Sequence, residues 1–242
     1  MIFNLFKKPP KLKEIIPKGF VDIHSHILPG IDDGAKNIKE SLKLVSEMHD
    51  LGFLKIYGTP HSYPGVHNNT NASIYKSFNK LHNLTKKKYK ISYASEYLID
   101  KNLIKKAYEK TLLTINENYV LLEMSYIAPP LNLFEIIFEL QINNYIPIIA
   151  HPERYRFFFK EFDQLKKLKK IGCKFQINLL SLTGYYGLDV LKMSNKLIKN
   201  KMINFAGSDI HNFSHINYFQ KKIKTKYINE IEKILEANKV FM

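Results

Sequence analysis

The chain of 242 residues has one cysteine, no tryptophan and only two arginines. A lone cysteine, Cys173, cannot form an internal disulfide, which excludes a disulfide-stabilised scaffold and favours a reducing compartment. No apolar run approaches the ~18 residues needed to cross a bilayer, so no transmembrane segment is predicted. At the N-terminus the charges follow a very short apolar run, which is the wrong order for a secretory signal. We therefore expect a cytoplasmic protein without membrane insertion.

The composition is strongly basic, with a formal net charge of +15 at pH 7. Most of this charge comes from lysines spread along the chain, which is typical of a solvated surface and predicts no nucleic acid partner. Arginine is scarce, yet Arg154 and Arg156 stand together in the segment HPERYR. Because lysine fills the other basic positions, this pair indicates a need for the planar guanidinium that grips a phosphate or carboxylate.

The length suits one compact domain, and a hydrophobic fraction of 45% excludes a disordered protein. Residues 1–18 are predicted to be an irregular lead-in, and residues 19–242 the folded domain. Seven or so strand-type runs alternate with helical patterns, which predicts a parallel sheet covered by helices, as a barrel or a doubly wound sheet. The predicted strands are Phe20–His24, Leu54–Thr59, Ile91–Tyr97, Tyr119–Met124, Ile146–Ala150, Phe175–Leu179 and Ile203–Ala206. The clearest predicted helices are Asn37–Leu51, Ala72–Lys87, Leu131–Asn143 and Tyr227–Ala237.

Histidines and carboxylates follow these predicted strands, where α/β folds of both kinds bind their ligands. Imidazole and carboxylate together suit manganese, iron or zinc better than magnesium alone, which prefers oxygen ligands. Four carboxylates could hold several cations close together, as in enzymes that hydrolyse phosphate esters. The residues at the strand ends are His24, His26, Asp33, His61, Glu96, Glu123, His151, Asp209 and His211.

Taken singly, these residues have ordinary structural alternatives. Glu96 could be a surface charge, and Glu123 a buried acid with a partner. Asp32 could shape a turn or support a metal ligand. His67, in the polar loop Tyr63–Asn71, is interpreted as an ordinary histidine. Placement of the whole set at strand ends by chance is much harder to accept.

The ordered segments resemble the polymerase and histidinol phosphatase (PHP) superfamily. The likeness is closest to the bacterial metal-dependent protein-tyrosine phosphatases of capsular and exopolysaccharide clusters, and it extends from Val21 to His215. It implies a single-domain distorted (β/α)7 TIM-like barrel with three divalent ions, manganese or iron first and zinc or magnesium as alternatives. The segments that carry the resemblance are DIHSHILPGIDDG, TPH, SEYLID, LLEMSY, AHPERY and GSDIHN.

The resemblance also implies three sets of metal ligands and one phosphate contact. The first ion is assigned to His24, His26, Glu96 and Asp209. Glu96 bridges to a second ion, which Glu123 and His151 also bind, and the third is assigned to Asp33, His61 and His211. Arg154 matches a family arginine that binds the substrate phosphate. Some members carry a second such arginine where this chain has Ile216, and the adjacent His215 is the candidate substitute.

The implied activity is hydrolysis of phosphotyrosine by a metal-activated hydroxide. The implied partner is a membrane-associated tyrosine autokinase of polysaccharide export. A small-molecule phosphatase such as histidinol-phosphatase is the nearest alternative. A basic nucleic-acid-binding PHP protein and a weakly catalytic metal-binding protein are the alternatives from other classes. Cys173 precedes an apolar strand and lacks the loop of thiol-dependent phosphatases, so we expect it to be a core residue.

Overall fold

The computed structural model describes residues 9–86 and 88–242. Its strands are β1 (Phe20–Ser25), β2 (Phe53–Gly58), β3 (His61–Ser62), β4 (Lys90–Tyr93), β5 (Glu96–Leu98), β6 (Tyr119–Glu123), β7 (Ile146–Ala150), β8 (Lys174–Asn178) and β9 (Phe205–Gly207). Its helices are α1 (Leu12–Ile15), α2 (Ile38–Asp50), α3 (Asn71–Thr85), α4 (Asn102–Tyr108), α5 (Leu133–Ile142), α6 (Phe157–Lys160), α7 (Phe162–Lys170), α8 (Leu188–Lys199), α9 (Phe213–Tyr218) and α10 (Ile228–Ala237). Short 3₁₀ turns cover Pro152–Arg154, Leu179–Thr183 and Asn238–Phe241.

The strands pair in parallel in two sheets, with the orders β1-β2-β4 and β3-β5-β6-β7-β8-β9. Only two residues separate β2 from β3, and two separate β4 from β5, so each pair forms one interrupted strand. The nine strands of the described residues therefore occupy seven positions around a ring. Across the remaining seam between β9 and β1, Ser25 pairs with Ile210. This is the distorted (β/α)7 architecture that the resemblance implied, although its hydrogen-bond ladder is not continuous.

Alternate residues of the strands face the inside and the outside of the ring, as the two-residue period of a strand requires. Leu121 and Ile148 belong to a small inner cluster, whereas their neighbours Leu122 and Ile149 pack with the helices in the larger core. Phe241 also belongs to the inner cluster and lies against the first residues of β6 and β9. Apolar side chains thus close one end of the ring, and the polar strand ends lie at the other.

The predicted strand Ile91–Tyr97 is wrong as a single element. It divides into β4 and β5, and Glu96 begins the second piece rather than ending the first. The interruption at Ala94 and Ser95 lies opposite that at Thr59 and Pro60, and the amides of Ala94 and Glu96 donate to Gly58 O and Pro60 O across it. The other predicted strands are confirmed with small shifts. Helix α3 ends at Thr85, and Lys87, where its end was predicted, lies outside the described residues.

The predicted irregular lead-in is wrong in part. Residues 1–8 lie outside the described residues, but Leu12–Ile15 forms one helical turn with Leu12 and Ile15 buried. The amides of Leu12 and Lys13 donate to Lys221 O and Phe219 O, each at 2.9 Å. A single turn is too short for its apolar period to be recognised in the sequence, and tertiary contacts hold it. The domain boundary at residue 19 stays a prediction.

The sequence predicts that Cys173 is a core residue and that the chain has no transmembrane segment. Cys173 is a buried free cysteine, and burial raises the pKa of its thiol to about 12. It is therefore a core residue and not a thiolate nucleophile. Among the residues that the structure describes, no helix is long and apolar enough to span a membrane. The cytoplasmic location stays a prediction.

Candidate metal centre

His24, His26, Glu96 and Asp209 converge at the seam between β1 and β9. His24 Nε2 lies 3.1 Å from Glu96 Oε2 and 3.2 Å from Asp209 Oδ1. His26 Nε2 lies 3.4 Å and 3.3 Å from the same two oxygens. Ligands held about 2.1 Å from one ion at angles of 90–109° lie roughly 3.0–3.4 Å apart, so this spacing suits a shared cation.

Two further groups adjoin the first one and share residues with it. One consists of His61, Glu96 and Glu123, with His61 Nδ1 2.7 Å from Glu123 Oε1. The other consists of His26, Asp33, His61 and His211, whose ligand atoms lie within 4.8 Å of one another. The structure thus brings eight of the nine predicted ligands into three overlapping groups that could hold metal ions.

His151, the ninth predicted ligand, lies next to these groups. Its Nε2 atom is 3.1 Å from Glu96 Oε1, and the other oxygen of Glu96 faces His24 and His26. His151 has a left-handed φ of 33°, and Asp209 has one of 51°. Such values are costly for residues with a Cβ and cluster at functional sites, where surrounding structure imposes them.

Several buried polar atoms of the cluster lack hydrogen-bond partners outside the cluster in the part of the chain that the structure describes. Within the described residues, Glu96 Oε2 and His151 Nδ1 are buried without a hydrogen-bond partner, and His61 Nδ1 and Glu123 Oε1, also buried, face only each other and Glu96. Burial would lower the pKa of His24, but the carboxylates of Glu96 and Asp209 raise it to about 9. Buried imidazole nitrogens and carboxylate oxygens normally have polar partners, and divalent cations would be such partners here. The residues therefore fit a metal centre.

Three of the imidazoles have their other ring nitrogen held by a neighbour. His24 Nδ1 donates to Gln176 Oε1 at 2.9 Å, and His26 Nδ1 donates to Asp32 Oδ2 at 2.7 Å. His211 Nδ1 donates to the main-chain oxygen of Asp209 at 2.9 Å. With the proton on Nδ1, each Nε2 presents a lone pair, which is how such outer partners usually orient metal ligands.

Gln176, whose side chain holds the His24 ring, was not predicted from the sequence. A usable signal was present, because Gln176 and Asn178 alternate with the apolar Phe175 and Ile177. For Asp32, the hydrogen bond with His26 favours a role in orienting a metal ligand over a role only in shaping the turn. Gly207 leaves room for this packing, since a Cβ there would lie 2.7 Å from His24 Cβ and 2.6 Å from Gln176 Nε2.

Replacing Asp32 with alanine tests this orienting role. The His26 ring would lose the acceptor that fixes its tautomer, so we expect metal affinity to fall by about 10–100-fold. Competition with a chromophoric chelator measures the affinity directly. The exposed Asp50→Ala variant is the matched control, because Asp50 lies outside the cluster. Unchanged affinity in Asp32→Ala would contradict the role.

Arg154 lies next to the cluster of histidines and carboxylates. Its Nη1 atom donates to Asp209 Oδ2 at 2.7 Å, while Asp209 Oδ1 faces the two histidines of β1. The guanidinium lies 5.0 Å from the centre of the Tyr126 ring and 4.3 Å from that of Tyr186. Both contacts are cation–π contacts that hold the planar group in place. Tyr126 and Tyr186 were not predicted.

A pocket of about 290 Å³ opens next to this arginine, and His215 is part of its lining. His215 Nδ1 lies 3.2 Å from the amide of His211 and 3.1 Å from the main-chain oxygen of Asp209. Ile216 is buried in the hydrophobic core on the adjacent position of α9. The pocket is lined by Asp33, Arg154, Tyr185, Tyr186, Asp209, His211, Asn212 and His215.

His67 differs from its interpretation as an ordinary histidine. Its ring stacks on that of His61, with centroids 5.4 Å apart and an interplanar angle of 13°. The loop that carries it is further attached by Asn69 Nδ2, which donates to His61 O at 2.7 Å. The loop Tyr63–Asn71 therefore packs against the cluster of histidines and carboxylates at His61.

The family described as capsular polysaccharide synthesis, CpsB/CapC, matches residues 20–240. The chain belongs to this family. The resemblance to bacterial capsular tyrosine phosphatases is thereby confirmed. Among CpsB/CapC relatives, the chain is 32% identical to CapC of Staphylococcus aureus over 231 residues, covering 92% of this chain and 91% of CapC. It is 29% identical to the tyrosine-protein phosphatase YwqE of Bacillus subtilis over 226 residues, covering 90% and 89%.

The fold of this CpsB/CapC chain is also similar to a solved structure. The match is to crystal structures of YwqE from Bacillus subtilis and CpsB from Streptococcus pneumoniae, which are described as metal-dependent tyrosine phosphatases. The TM-score is 0.77 at 29% sequence identity, and the match covers 88% of this chain and 86% of the other. The likeness extends over nearly the whole of both chains.

Proposed function

We propose that this chain is a metal-dependent protein-tyrosine phosphatase, a phosphoric monoester hydrolase. The observation that carries the proposal is the convergence of three histidine–carboxylate groups beside one anchored arginine. The full-length similarity to YwqE, a tyrosine-protein phosphatase, supports the same reaction. Small-molecule hydrolysis and simple metal binding are outcomes that the experiment below separates from it.

Three divalent ions are assigned, with manganese or iron preferred and zinc or magnesium as alternatives. Bound ions of this kind polarise phosphoryl oxygens and lower the pKa of water from 15.7 to about 7. His24, His26, Glu96 and Asp209 would hold the first, and Glu96, Glu123 and His151 the second. Asp33, His61 and His211 would hold the third. Residues assigned to different ions contact each other, His61 with Glu123 and His26 with His211, which supports a close spacing of the three ions.

Arg154 is the proposed phosphate contact. Its Nη1 atom is taken by Asp209, and the remaining guanidinium N–H groups are the donors that can face a phosphoryl oxygen in the pocket. His215 is the proposed second contact, because its ring lines the pocket beside Arg154, whereas an arginine at position 216 would be buried in the core. The guanidinium donors of Arg154 would stabilise the charge that builds on the non-bridging oxygens in the transition state.

An aryl phosphate suits this set of residues. The phenol of tyrosine has a pKa of about 10, so it leaves with less proton assistance than an alkyl alcohol. The buried Cys173 thiol offers no covalent route, since its raised pKa keeps it protonated. We therefore assign hydrolysis to direct attack by water and exclude a phosphocysteine.

The proposed partner is the phosphorylated tail of a membrane-associated bacterial tyrosine kinase of capsule or exopolysaccharide export. The family description, capsular polysaccharide synthesis, supports this assignment. The net charge of +15 would favour the approach of a tail that carries several phosphates. The reaction would then take place in the cytoplasm, where the substrate tail lies.

The test compares two substrates on metal-stripped protein refilled with manganese. We expect a phosphotyrosine peptide to be hydrolysed only after refilling, and histidinol phosphate to be hydrolysed poorly or not at all. Released inorganic phosphate is the measurement, and protein kept in chelator is the control. Turnover of histidinol phosphate alone would move the activity to a small-molecule phosphatase. No turnover of either compound would leave a metal-binding protein.

A further inference from the structure

A groove of about 640 Å³ runs between α7 and α8, outside the metal centre. Four lysines line it, and we refer to it as the lysine groove. They come from three different helices, so the chain brings them together only in the folded state. They are Lys160 of α6, Lys166 and Lys167 of α7, and Lys196 of α8, with Glu161 and Asp163 as the acidic members of the lining.

Positive charge exceeds negative charge in the lysine groove. Asp163 is paired with Lys166 at 2.8 Å, and Lys166 lowers the pKa of this carboxyl, with smaller contributions from Lys167 and Lys196. In the described part of the chain, no carboxylate lies within 4.0 Å of the ammonium groups of Lys160, Lys167 or Lys196. Three lysines therefore remain available to an anionic ligand.

Helix α8 extends from the surroundings of Arg154 to the lysine groove. Helix α8 begins shortly after Tyr186 and packs against the 3₁₀ turn that contains Arg154. Lys196 stands eight residues beyond Leu188, which is ~12 Å along the helix. Arg156, the second arginine of the chain, is exposed on the same connection between Arg154 and Lys160. A depression lined by Phe159, Asp189, Lys192, Met193 and Lys196 adjoins the lysine groove at Lys196, and in it Lys192 is paired with Asp189 at 3.3 Å.

We propose that the lysine groove and Arg156 bind an acidic segment of the protein substrate that flanks its phosphotyrosine. This inference rests on the proposed phosphatase function and specifies the charge of the residues that flank the phosphotyrosine of the substrate. An extended chain advances ~3.3–3.6 Å per residue, so the distance along α8 corresponds to about four residues. Acidic residues or further phosphotyrosines about four to eight positions from the scissile phosphotyrosine would reach the lysines.

A peptide is favoured over other polyanions by the shape and position of the lysine groove. It is concave, it shares helix α8 with the surroundings of Arg154, and Lys196 covers the ring of Phe162 at 3.8 Å. A bilayer would contact a protruding surface, and a duplex would require a broader one. Anionic vesicles and DNA are therefore included in the test as competing outcomes.

The experiment uses a groove variant with Lys160→Gln, Lys167→Gln and Lys196→Gln. The matched control carries Lys76→Gln, Lys80→Gln and Lys233→Gln, three exposed lysines of α3 and α10 that remove the same charge elsewhere. A fluorescent peptide with glutamates four to eight positions from a tyrosine is titrated by anisotropy. Its phosphorylated form, a glycine–serine phosphotyrosine peptide and p-nitrophenyl phosphate are then compared as substrates with manganese.

We expect the groove variant to bind the acidic peptide roughly tenfold more weakly than wild type and to show a raised KM for its phosphorylated form. Turnover of the glycine–serine peptide and of p-nitrophenyl phosphate stays unchanged. The control variant behaves like wild type, and salt weakens wild-type binding because it screens exposed charges.

Equal losses in the groove and control variants would overturn the proposal in favour of attraction by net charge. Unchanged peptide binding in the groove variant would overturn it as well, and so would a selective loss of binding to phosphatidylglycerol vesicles or DNA. Failure of the phosphatase function gives a different result. In that case wild type hydrolyses none of the substrates, while the anisotropy titration still reports on the lysine groove.

Discussion

Asp209→Ala is expected to reduce the turnover of a phosphotyrosine peptide by more than about a thousandfold. Asp209 Oδ1 faces His24 and His26, and Asp209 Oδ2 accepts hydrogen bonds from Arg154 and Asn178. Removing the carboxylate therefore removes a proposed metal ligand and the anchor of the phosphate contact together. Metal content by mass spectrometry and phosphate release are the two measurements.

The control for this variant is Asp50→Ala, an exposed carboxylate on α2. It should retain wild-type turnover and metal content. Circular dichroism would establish that Asp209→Ala is folded, since buried polar networks also stabilise the native state. Full activity in a folded Asp209→Ala protein would contradict the assignment of the metal centre.

Arg154→Lys is expected to lower kcat by about 100–1000-fold while the bound metal stays the same. Lysine keeps the positive charge but lacks the planar fork, so it cannot bind Asp209 and a phosphoryl oxygen side by side. It would also lose the flat contacts with Tyr126 and Tyr186. Steady-state kinetics with a phosphotyrosine peptide and inhibition by inorganic phosphate measure the effect.

Arg156→Lys is the matched control, because this exposed arginine lies outside the pocket. We expect its kcat on p-nitrophenyl phosphate to equal that of wild type. A loss of metal in Arg154→Lys would reassign Arg154 to the assembly of the metal centre. Wild-type kcat in Arg154→Lys would show that charge alone is sufficient at this position.

The strands were largely predictable because each is a short apolar run followed by a polar residue. The strand Ile146–Ala150 was predicted with the bounds that the structure has. The strand around Glu96 was not, because its break lies opposite the interruption between β2 and β3, an arrangement of distant segments that no local pattern shows. The turn Leu12–Ile15 was missed for the same kind of reason, since its partners lie in the segment that follows α9.

The amino-acid sequence by itself determined which chemical groups stand at the strand ends, and with the family resemblance it indicated a metal-dependent phosphatase. Only the tertiary structure decided which groups meet. It placed Gln176 behind His24, paired Arg154 with Asp209, and put His215 in the pocket while Ile216 is in the core. The physical reason is that strand ends follow from local apolar patterns, whereas contacts between His24 and Asp209 depend on how distant parts of the chain close the ring.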